Sequence, residues 1–249
     1  MADFLKKWYP FLLFGAFAVG GIVFLFVTMK PKWGGDKATY VDGREELSLG
    51  GEHYRLINDV DAETFVGSGV SDVLKTERGE QAGSIVSGGF MTLGVLFKVK
   101  GDAEGNYLVD SVGRIYAKNA ISETEKKRLS DPGNFPVHRV LGTDKSLESF
   151  VEIKPEDYEK IAAAAADVTA SVRISEKSVA EDFDGRREIF AFTEDGMWYR
   201  ACGELFCYKD SVFVTTGFLT AKQTTDHKAV LTGTALPAEL QEVFRPLFP

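Results

Sequence analysis

The chain is poor in the residues that usually carry chemistry. It has two cysteines, Cys202 and Cys207, and three histidines, His53, His138 and His227. A structural zinc site needs four Cys or His ligands, and no histidine stands near the cysteine pair in sequence. The three histidines fall in three different expected elements, so a shared site requires convergence in space. There is no G-x-S-x-G elbow, no H-E-x-x-H helix and no phosphate-binding loop with its lysine. Gly67-Ser68-Gly69 resembles the start of a dinucleotide fingerprint, but Asp72 stands where the third glycine belongs. Asn58, Asp59, Asp61 and Glu63 lack the glycine that a calcium loop needs at its sixth position, and a capped turn explains them. Asp182 and Asp184 before Gly185 are half of such a loop, with Ala180 at the first ligand position. No cofactor and no metal is expected. An enzyme is the less favoured class, although a site assembled from distant residues leaves no motif.

Basic charge is also short. The net charge is −8 and the isoelectric point about 5.1. That balance excludes nucleic acid as a partner, because phosphates need a basic surface. Low complexity is absent too. Aromatics make up 12% and charged residues 27% of the chain, which suits a folded domain.

What the chain does have is one long apolar run. Phe11 to Thr28 holds eighteen residues without charge, and twelve of them are Phe, Leu, Ile or Val. At roughly −0.3 to −0.6 kcal/mol each for insertion, those side chains outweigh the three glycines and one threonine. As a helix the run covers about 27 Å, close to the thickness of bilayer hydrocarbon. Trp8, Tyr9 and Trp33 flank it where amphipathic rings prefer to sit, and Lys6, Lys7, Lys30 and Lys32 close both ends. A single membrane-spanning helix over residues 11–29 is expected. The rival, a cleavable signal, has a shorter apolar region and a small-residue cleavage pattern. Gly15, Ala16, Gly20 and Gly21 would permit close contact with another helix in lipid. The partners implied are the bilayer and other membrane proteins of a complex. A short basic tail before an uncleaved span exports the chain beyond the span, which puts the domain on the periplasmic or equivalent side.

The fold class expected is α+β: one N-terminal transmembrane helix, then a mainly antiparallel β domain with a few helices. The organisation reads as an N-terminal tail (1–10), the helix (11–29), a tether (30–46) and a folded domain (47–249). That domain divides into two lobes, 47–153 and 154–249. Gly50-Gly51 marks a turn before an extended His53–Ile57. Val70–Leu74 reads as a short helix. Residues 90–100 and 106–118 form a long hairpin at the centre of a sheet.

Ser122 and Glu125 have capping-box spacing and open a helix that Asp131-Pro132-Gly133-Asn134 ends. Pro155 opens a second helix to about Val168, with Tyr158, Ile161, Ala165 and Val168 on one face. From Arg187 an antiparallel meander runs to Thr234, with one hairpin turn at Gly203-Glu204 between two short strands. On the arms of that turn Cys202 and Cys207 could face each other as a disulfide; two free thiols is the other reading. Cys202 beside Arg200 has the pattern of a thiol with a lowered pKa. A last helix from Pro237 puts Leu240, Val243 and Phe244 on its inner face.

The function read from this pattern is a single-pass, membrane-anchored, non-catalytic accessory or scaffold subunit of a larger membrane assembly. The alternative is a membrane-tethered ligand-binding or sensor domain of the cell envelope. An envelope hydrolase or redox protein ranks third.

Overall fold

The computed structural model describes residues 36–58, 65–66, 70–71, 73–87, 91–142, 149–174, 185–219 and 230–248. The expected membrane helix over 11–29, with its contacts at Gly15, Ala16, Gly20 and Gly21, lies outside the described residues, as do Gly67-Ser68-Gly69, Asp182, Asp184 and His227. Among the described residues no helix is long and apolar enough to cross a membrane. They form a β-rich α+β arrangement, mostly strand with three short α-helices.

The first body is a closed barrel. Its strands are β1 (Asp36–Asp42), β2 (Glu46–Leu49), β3 (Glu52–Leu56), β7 (Arg78–Ser87), β8 (Met91–Val99), β9 (Tyr107–Asp110) and β10 (Ile115–Lys118). Between β3 and β7 lie β4 (Phe65–Val66), β5 (Val70–Ser71) and β6 (Lys75–Thr76). The barrel order is β1-β2-β3-β10-β9-β8-β7. Every pair is antiparallel except the seam, where β1 runs parallel to β7.

Gly50 and Gly51 connect β2 to β3 with φ of +62° and +88°, as a two-residue hairpin turn of this type demands. The residues 36–46 read as tether are therefore strand and turn. Ala38 is fully buried inside the barrel while Lys37, Thr39 and Val41 face out, an alternation too short to stand out among polar neighbours. Val70–Leu74 is extended rather than helical, since Val70–Ser71 pairs with Phe65–Val66 and the next residues enter β6.

The expected long hairpin is present as β8 with β9, but its second arm is cut by a turn at Asp110–Arg114 and returns as β10. Successive residues of these two strands are buried on both faces. Leu108 and Tyr116 fill the barrel with Leu47, Tyr54, Ile85 and Leu96. Tyr107, Val109, Ile115 and Ala117 point outward into a second core. That double burial explains why the segment reads as continuously apolar.

The second body is a larger antiparallel sheet. It contains β11 (Val137–Val140), β12 (Val151–Ile153), β13 (Val172–Ile174), β14 (Arg186–Phe192), β15 (Trp198–Tyr208), β16 (Ser211–Leu219) and β17 (Val230–Ala235). The order is β12-β11-β14-β15-β16-β17-β13, with β6 added beside β15. The boundary between the bodies thus falls before Val137, not after Ile153, and β6 crosses it. The helices are α1 (Asn119–Ser130), α2 (Pro155–Ala166) and α3 (Ala238–Phe244). The last two pack on one face of the sheet through Ile161, Leu240 and Phe244.

Several local expectations are corrected. The capping box does not form: α1 starts at Asn119, the Ser122 hydroxyl donates to the Asn119 carbonyl, and Glu125 pairs with Arg128 at 2.8 Å. Val168 lies beyond α2 in a 3-10 turn and is 68% exposed, and Val243 is 51% exposed. The turn at Gly203-Glu204 is absent, because β15 runs unbroken for 11 residues. Opposite it, Ile189 pairs with Gly203 and Phe190 with Ala201, which leaves Cys202 as the extra residue of a bulge. The glycine that signalled a turn serves a bulge instead.

Candidate functional site

The two bodies share the outward core of the barrel. Trp198, fully buried, stands edge-on to Tyr107 with ring centroids 4.9 Å apart. Ala191 of the sheet and Leu129 and Phe135 around α1 complete the contact. Beside this contact β6 leaves the sheet, where Thr76 pairs with Trp198 and Lys75 with Tyr199, and the chain enters the barrel wall at Arg78. A fork of this kind cannot close on itself, and a cleft of about 610 Å³ opens between β6 and the β9–β10 turn.

Two short-range devices shape the cleft. The first is the β9–β10 turn. One oxygen of the buried Asp110 carboxylate accepts the backbone N–H groups of Val112, Gly113 and Arg114 at 2.8, 2.8 and 2.9 Å. Gly113 has a φ of +102°, a conformation costly to a side chain. Arg114 lies 3.4 Å from the other Asp110 oxygen and is itself buried.

The second device is Asn58, 7% exposed at the end of β3. Its Nδ2 donates to the carbonyls of Leu74 and Gly113, both at 3.0 Å, and its Oδ1 accepts the N–H of Ile115 at 2.6 Å. One side chain thereby ties three chain segments that wall the cleft. The donors and acceptors around it fix the amide orientation, since carbonyls accept and a backbone N–H donates.

The walls differ in character. Leu74, Val109, Val112 and the Tyr199 ring supply apolar surface. Val112 is 65% exposed, an apolar side chain held at the mouth by the clamped turn. Lys75, Arg78 and Lys100 supply positive charge against one carboxylate, Glu77. Glu77 is taken by Lys100 at 2.6 Å. Arg78 is steadied by a bond to the Ser111 carbonyl at 3.1 Å and lies 5.4 Å from the centroid of the Phe97 ring. Neither Lys75 nor Arg78 has a carboxylate partner among the described residues. This is the arrangement of a site that binds: an apolar floor with a few placed polar groups.

The residues singled out from sequence are not brought together. His53 is exposed on β3, with Nδ1 2.8 Å from Glu46. His138 lies on β11 in the other body, stacked on Tyr158 at 3.4 Å with the rings 12° apart, and burial pushes its pKa down. Among the described residues no three His, Cys, Asp or Glu side chains could hold a metal ion.

Cys202 and Cys207 lie on one strand, five residues apart, and both thiols are free. Strand rise separates them by about 16 Å, well beyond the reach of a disulfide. The reading of Cys202 as a low-pKa thiol is also overturned. Burial pushes it up to about 11, against opposing contributions from Tyr158 and Arg200. Arg200 turns away to the Leu129 carbonyl at 3.2 Å and the Phe135 ring at 4.9 Å.

The cleft residues are invisible in sequence because nothing local marks them. Lys75, Arg78 and Lys100 are ordinary surface charges until the fold joins them. Asn58 is one polar residue in an acidic stretch, with a hint only in its place directly after the apolar Ile57. No family model, curated protein or solved structure matches the chain.

Proposed function

We propose that the chain is a single-pass, membrane-anchored, non-catalytic protein whose β-rich domain is an accessory or scaffold subunit of a larger membrane assembly. One observation carries this reading: the shortness of the leash between the apolar run and the barrel. Seven residues lead from Met29 to Asp36, the first residue of β1. Fully extended they reach only about 25 Å. A folded domain of roughly 200 residues has a radius of gyration of about 16 Å, so it would tilt on such a leash but not roam. Its partners are the bilayer and other membrane proteins, on the exported side. The high pKa of Cys202, the residue with the best claim to nucleophilic chemistry, adds support to the non-catalytic reading.

The test is mild detergent extraction of the full chain from native membranes. The expected result is a membrane fraction that resists alkaline carbonate and a particle larger than the monomer. Release by carbonate, or a monodisperse monomer, overturns the reading. A second reading, a membrane-tethered ligand-binding domain, is favoured by the cleft. Its volume of about 610 Å³ falls within the range of small-molecule sites, about 300–1,000 Å³.

A further inference from the structure

We infer that the cleft between β6 and the β9–β10 turn takes a small amphiphile with an anionic head, carboxylate or phosphate. Lys75 and Arg78 face the head, and Leu74, Val109 and Val112 face the apolar body. The inference rests on the ligand-binding reading and names the ligand's class.

Charge is the first support. The whole chain carries −8, yet the cleft wall gathers three cations against one carboxylate. With Glu77 engaged by Lys100, the positive excess is that of Lys75 and Arg78. Placement is the second. The Arg78 guanidinium is fixed by the Ser111 carbonyl through one nitrogen, which leaves donors for a planar or tetrahedral anion. The third is Val112. A valine 65% exposed on a rigid turn has no packing role, but beside Val109 and Leu74 it extends an apolar wall to the mouth. A cation would meet like charge here, and a purely polar anion would leave that wall wet.

The experiment uses the full chain in phosphatidylcholine nanodiscs, titrated calorimetrically against empty discs. Octanoate and octyl phosphate are the probes, with octyltrimethylammonium, octyl glucoside and inorganic phosphate as contrasts. Saturable one-site binding of the two anionic amphiphiles is expected, tighter than any contrast. Arg78→Gln weakens it about tenfold, the effect of one lost bond to a charged group. Val112→Trp, at an exposed position, fills the mouth and abolishes binding with an unchanged melting temperature.

Nanodiscs containing phosphatidylglycerol separate two sources of the head group. If the cleft takes a lipid head group, octanoate binding is lost in them; if it takes a free amphiphile, binding persists. Equal binding of octyltrimethylammonium or octyl glucoside, or indifference to Arg78→Gln, overturns the anionic class while leaving the cleft a ligand site. No saturable binding of any probe overturns the ligand-binding reading itself.

Discussion

Replacing Asn58 by alanine is the most direct test of how the cleft is held. The side chain makes three hydrogen bonds, at 3.0, 3.0 and 2.6 Å, to three segments remote in sequence. At about 1 kcal/mol net for each, the loss is about 3 kcal/mol. In a domain of some 200 residues each kcal/mol shifts Tm by roughly 2–4 °C, so Asn58→Ala should melt about 6–12 °C below the parent. Hydrogen exchange supplies the local readout: the Ile115 amide, which donates to Asn58, should exchange faster than its neighbours in β10.

Asn58→Asp separates shape from donor capacity. A carboxylate keeps the acceptor for Ile115 but faces the Leu74 and Gly113 carbonyls with no hydrogen to give. Its ionised form is disfavoured in the fold, so its folded pKa lies above its unfolded value. The variant's deficit should therefore grow as pH rises through the unfolded value of about 3.9 and ease in acid. A melting shift under about 2 °C for Asn58→Ala, with Ile115 exchange unchanged, would refute the claim that this amide sets the cleft wall.

Other measurements probe other parts of the molecule. A Cβ at Gly83 would lie 2.4 Å from the Asp36 carbonyl oxygen, so Gly83→Val should destabilise the domain by about 1–3 kcal/mol and speed exchange in β1 first. Unchanged β1 protection would refute the parallel seam. The pKa of His138 is held down by burial, so the folded state resists its protonation. Stability should fall as pH drops from about 7 through the unfolded value near 6.5, and His138→Phe, which keeps a ring on Tyr158, should reduce that fall. Thiol titration of the unreduced, denatured chain should find both cysteines free, with Cys202 unreactive until unfolding; an absence of thiols would contradict the continuous β15.

Legibility in sequence followed the range of the forces involved. Turns that rest on glycine conformation were readable, as at Gly50-Gly51 and Asp195-Gly196. So were α2, with Pro155 at its first position, and the β-rich class itself. Misreadings arose where tertiary pairing overrode a local signal. Gly203 looked like a turn and became a bulge because β14 lies alongside. Residues 36–42 looked like linker because only Ala38 is buried deeply enough to register, and their pairing partner lies more than forty residues away. The candidate site was the least legible part. Its walls come from β6, the start of β7, Lys100 and the β9–β10 turn, and no window of sequence contains them together.

The parallel seam has a consequence for how the chain is made. As synthesis proceeds from the amino terminus, β1 finds β2 within a few residues, and one of its edges is satisfied at once. The other edge waits for residues 78–87 to leave the ribosome. During that interval a bare row of amide and carbonyl groups faces outward, able to pair with the same strand of a nascent neighbour. Crowded translation would therefore favour exchanged dimers, and slowing elongation after Ser87 would favour closure within one chain.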